Sequence, residues 1–135
     1  MDKKHAHLVI IQGVINRLSQ NSFLLKGWSV VLIAALFALA AKDSNAMFVY
    51  LAYFPLFAFW FLDGYFLWQE RLYRNLYDKV RIMDESNIDF SMNTTDIEDS
   101  RGGWLSATFS KSLIAFHGVV FGSLVIVMLI MISNG

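Results

Sequence analysis

The chain has no cysteine and one proline, Pro55, in 135 residues. Without thiols it has no disulfide framework, no thiol nucleophile and no zinc–thiolate site. Charge is sparse and balanced, with 11 Lys and Arg against 11 Asp and Glu. Any electrostatic message must therefore lie in where the charges sit. None of the patterns G-x-x-x-x-G-K-[ST], G-x-S-x-G or H-E-x-x-H occurs, and no histidine and acid are spaced to activate one of the serines. No catalytic residue and no cofactor are expected. His5-x-His7 lacks further ligands, so no metal site is expected either. LVIIQGVI, after Lys3 and Lys4, is too short and too soon interrupted by NRLSQN for a signal peptide, so the N-terminus should be retained.

What is abundant is apolar surface. Hydrophobic residues make up 56% of the chain, gathered into long runs with at most one charge each at residues 23–41, 46–68 and 112–132. A helix needs about 20 apolar residues to cross the hydrocarbon core, so the expected fold is an all-α membrane protein with three transmembrane helices. Three helices cannot enclose a pore, so any channel requires several copies.

The second run, FVYLAYFPLFAFWFLDGYFLW, is about half Phe, Tyr and Trp, and its only charge is Asp63. The first run has Lys26 near its start, where a long side chain can snorkel to the interface. KDSN between them is a tight polar turn, so the two spans form an antiparallel hairpin. At the helical rise, residues whose numbers sum to about 89 then lie at equal depth. Lys26 and Asp63 satisfy that relation, near the far edge of the hydrocarbon. Two opposite charges at matching depth are each costly unpaired. They are expected to form an ion pair that fixes register or lines a gate.

The relation continues past the membrane. Leu8, Ile11, Val14, Ile15 and Leu18 form one stripe within residues 5–22. They meet Trp68, Leu72, Leu76, Val80 and Met83, mostly in the continuation 69–83. The hairpin should therefore extend into the aqueous phase as a packed pair. The outer face of that extension carries Arg71, Arg74, Asp78 and Arg81, with Lys79 nearby. It is either a salt-bridged solvated face or an anion site for headgroups or phosphates, with Tyr73 and Tyr77 available to stack on bases. Residues 84–103 are acidic and polar. There Ile88, Phe90 and Met92 alternate as in a short strand within an otherwise mobile loop. WLSATFSKS then reads as an interfacial approach anchored by Trp104. In the third run His117 is either a hydrogen-bonded interfacial residue or a titrating gate. Gly118 and Gly122 form a GxxxG pattern suited to close helix packing or subunit association.

Every Lys and Arg except Lys42 falls on the side of the N-terminus and of residues 69–111. Positive-inside reasoning places that side in the cytoplasm and the C-terminus outside.

The stretches NSFLLKGWSVVLIAALFALAAKDSNAMFVYLAYFP and FWFLDGYFLWQERLYRNLYD resemble small bacterial transmembrane effectors that accompany nucleotidyltransferase-type genes in antiphage defence, the channel effectors of Hailong-type systems. The similarity runs roughly over residues 11–78. It implies a homo-oligomeric channel that depolarises the inner membrane. It also implies an oligonucleotide or cyclic nucleotide ligand, made by a partner nucleotidyltransferase, that holds the pore closed from the cytoplasmic side. Under that resemblance Arg71, Arg74, Lys79 and Arg81 would contact phosphate. A different class of function, a non-conducting accessory or scaffold subunit of a larger membrane complex, fits the same residues.

Overall fold

The computed structural model describes residues 3–43, 45–95, 97 and 102–134. Among them are four α-helices, one 3-10 turn and no strand: α1 Lys3–Asp43, α2 Met47–Ile82, the turn Glu85–Asn87, α3 Gly103–Thr108 and α4 Lys111–Asn134. Helices α1, α2 and α4 are long and apolar enough to cross a membrane. The protein is an all-α membrane protein.

The amphipathic N-terminal segment and the first span are one unbroken helix of 41 residues, about 60 Å long. Gly13 and Gly27 face open space, so neither marks a close approach to another element. The 36 residues of α2 include Pro55. At the turn, Asn45 N–H donates to the Ala40 carbonyl at 3.2 Å. The Asn45 side chain accepts from Met47 N–H at 3.0 Å. These bonds satisfy one end group of each helix.

The depth relation holds along the hairpin. Ala40 with Val49 and Ile33 with Leu56 all lie in one buried cluster within the span, joined by Ala52 and by Leu124 of α4. Of the alanines in AALFALAA, Ala40 is buried, whereas Ala34, Ala35, Ala38 and Ala41 face outward. In the extension a second cluster joins Ile11 and Ile15 to Leu76 and Val80, with Tyr73 and Tyr77 packed against it. The helical periodicity of both stripes thus becomes one continuous seam.

Residues 88–92 are not a strand. Ile88, Met92 and Ile97 pack on the second cluster, while Phe90 turns away with φ 59° and meets the His7 ring at 5.3 Å. Backbone N–H groups of Ser91, Asn93 and Thr95 each bond to a side chain two residues earlier. Such local bonds compete with a sheet ladder, and the two helices offer no strand edge to pair with. The segment is instead a strap across the extension. Gly102 and Gly103, at φ 103° and 83°, turn the chain into α3 through conformations that glycine adopts without strain. Helix α2 is central: α1, α3 and α4 all pack on it.

Candidate functional site: the Asp63 cluster

Asp63 is fully buried in the middle of α2. Its carboxylate gathers three donors from two other helices. Lys26 Nζ of α1 lies 2.6 Å from Oδ2, as the depth relation requires. His117 Nε2 of α4 lies 2.8 Å from the same oxygen. The Ser22 hydroxyl of α1 donates to Oδ1 and accepts from Lys26 Nζ at 2.9 Å. Ser22 sits one turn before Lys26, so both project from the same helix face. An ionised carboxylate has about four lone-pair positions, and most are filled. The Lys26 ammonium is thus held on the carboxylate, its side chain 23% exposed, and does not reach away to the interface.

Aromatic rings fix the cluster from the α4 side. Trp60 stacks on His117 with centroids 5.7 Å apart and planes 13° from parallel. Phe116 meets the same imidazole edge-on at 5.0 Å and lies 5.9 Å beneath Lys26 Nζ, a cation–π contact. With its ring clamped, His117 presents Nε2 to Asp63, while Nδ1 has no hydrogen-bond partner among the described residues. Placing the ring proton on Nε2 matches this arrangement.

Helix α3 closes the remaining side. Trp60 Nε1 donates to the Thr108 carbonyl at 2.8 Å, and Trp104 Nε1 donates to the Phe61 carbonyl at 3.0 Å. Thr108 lies directly on Gly64, where a Cβ would stand 2.8 Å from the Thr108 Cα. Gly64 is the sole glycine of α2, and its missing side chain is what admits α3 beside Asp63. WLSATFSKS is thus a docked element that packs into the site.

The structure brings Lys26, Asp63 and His117 together. It adds Ser22, Trp60, Gly64 and Thr108, which sequence reasoning passed over. The remaining nominated residues lie elsewhere. Arg74 is exposed and bonds Glu70 at 2.8 Å, and Arg81 stands 3.9 Å from Asp78. Arg71 is half-buried and Lys79 exposed. Tyr73 and Tyr77 are half-buried against the extension cluster, with only part of each ring free. Among the described residues, no other element stands against either glycine of the GxxxG pattern. A Cβ on Gly122 would meet nothing within 4 Å, and one on Gly118 only Ile114 of its own helix at 3.8 Å. Among the described residues no cluster suits a metal ion.

Chemically, the cluster is a neutralised ion pair with one further donor, buried at one edge of the span. It joins three helices. No family model, no curated protein and no solved structure matches the chain.

Proposed function

We propose that the protein is a non-enzymatic, homo-oligomeric channel-forming effector of bacterial antiphage defence. It would depolarise the inner membrane under control of a cytoplasmic nucleotide or oligonucleotide that holds it closed. The observation that carries the gating part is the buried Asp63 cluster. A charge pair inside a span is costly, and this one ties α4 to the hairpin through a few separable bonds. In this proposal the cluster is the closed-state latch, and opening moves α4 off α2. The unfilled GxxxG face of α4 is the surface offered to a neighbouring copy. The defence role and the nucleotide rest on the resemblance, with Arg71, Arg74, Lys79 and Arg81 as phosphate contacts. The cytoplasmic side rests on the distribution of Lys and Arg.

The scaffold alternative draws on one feature. Many large apolar residues, among them Phe23, Trp28, Phe54 and Val119, are exposed, and another membrane protein could cover them as well as a second copy. Planar-bilayer recording of the purified full chain, with and without short oligonucleotides, separates the two. The channel predicts a symmetric oligomer whose currents fall when the nucleotide is added. A monomer, or an oligomer that passes no ions in either condition and co-purifies with another membrane protein, supports the scaffold.

A further inference from the structure

A groove of about 400 Å³ runs between α1 and α2, and its lining includes none of Ser22, Lys26, Asp63 and His117. Its walls include Leu25, Trp28 and Leu32 of α1 and Phe59 and Phe66 of α2, with Asn21 at its aqueous end. Counting from Ala41 at the opposite surface, Asn21 lies about 30 Å away along the helix, the full thickness of the hydrocarbon core. The apolar walls therefore lie at acyl-chain depth and Asn21 at its boundary.

Four residues further out is Arg17, about 6 Å above Asn21 and thus within the headgroup layer. Positions 17, 21, 24 and 28 share one face of α1. Arg17 is exposed and, unlike Arg74 and Arg81, has no ion-pair partner among the described residues. A slot for a hydrocarbon chain is thus continued by an amide and then by an exposed guanidinium with no ion-pair partner among the described residues, which suits a phosphate diester.

We propose that this groove binds an anionic phospholipid of the leaflet on the N-terminal side. One acyl chain lies against Trp28 and Phe59, Asn21 bonds the glycerol–phosphate region, and Arg17 pairs with the phosphate diester, whose charge no headgroup cation offsets. Channel activity is not assumed; only the three spans and their depth are.

Native mass spectrometry of the full chain, released from micelles containing equal phosphatidylglycerol and phosphatidylcholine, tests this. The expected result is about fivefold more phosphatidylglycerol bound, the size of one surface cation acting on an anionic lipid. Arg17→Gln should abolish that preference and Arg17→Lys retain most of it. A groove-filling Leu32→Trp should lower binding of both lipids while the protein keeps its thermal stability. Equal binding of the two lipids by the wild type, or a preference unchanged in Arg17→Gln, would overturn the assignment. So would efficient cross-linking of Asn21→Cys chains to one another in native membranes, which would place a second copy in the groove.

Discussion

Asp63→Asn is expected to cost about 3 kcal/mol of stability, the lower end of what removing one partner of a buried ion pair costs. The lower end applies because the Lys26 side chain is 23% exposed and can turn its ammonium toward the interface once its partner is gone. The amide still accepts from Ser22, yet it no longer neutralises Lys26. Lys26→Met should be comparably damaging, since it strands a fully buried carboxylate with only His117 and Ser22 as donors. The double variant removes both charges and should be less destabilised than the sum of the singles, with a coupling of about 1–3 kcal/mol. Unfolding of all four proteins in the same detergent measures this. Strict additivity would mean that the two side chains do not act as a pair.

Gly64→Ala should produce the second large effect, about 2–3 kcal/mol, in the upper range for overpacking a well-filled interior. The added methyl group would lie 2.8 Å from the Thr108 Cα. The Thr108 hydroxyl stands closer still, but because the Cα is backbone, trimming the Thr108 side chain cannot fully relieve the clash and α3 must move. Displacing α3 breaks the indole bonds from Trp60 to Thr108 and from Trp104 to Phe61. The same variant should therefore shift indole fluorescence and weaken the stacking of Trp60 on His117. Gly122→Ala, where a Cβ would meet nothing, is the control and should leave the stability of the single chain unchanged. Equal stability of Gly64→Ala and wild type would show that α3 is not docked on α2 at that point.

The hairpin and its central ion pair were legible because two simple quantities determine them. A tight turn sets where the helices reverse, and a constant rise sets which residues then meet. Lys26 and Asp63 stood out against an uncharged background, so the depth relation had only one pair of charges to match. The seam of Ile11, Ile15, Leu76 and Val80 was legible for the same reason, through its periodicity. Ser22 gave no signal of its own, although its place one turn from Lys26 on the same face is a clue that the register supplies. Gly64 and Thr108 were hidden because a close approach between elements 44 residues apart leaves no periodic trace. The contact of His117 with Asp63 was not legible either. The long segment between α2 and α4 places no constraint on depth, so no arithmetic links the two. Alternation at Ile88, Phe90 and Met92 misled. Period-2 spacing marks a strand only when an edge is present to pair with, and here the apolar side chains fold down onto two helices.

The latch is tested most directly by locking it. Tyr53 of α2 and Met128 of α4 touch, with the hydroxyl 3.4 Å from the sulfur, and the chain has no cysteine of its own. A Tyr53→Cys/Met128→Cys chain can therefore be bridged at one chosen place by a short reducible thiol cross-linker. Ionic currents of the purified oligomer are then recorded in planar bilayers without nucleotide, before and after reduction. If α4 must leave α2 for the pore to open, the bridged protein is silent and reduction restores the current. Equal currents in both states would contradict the latch.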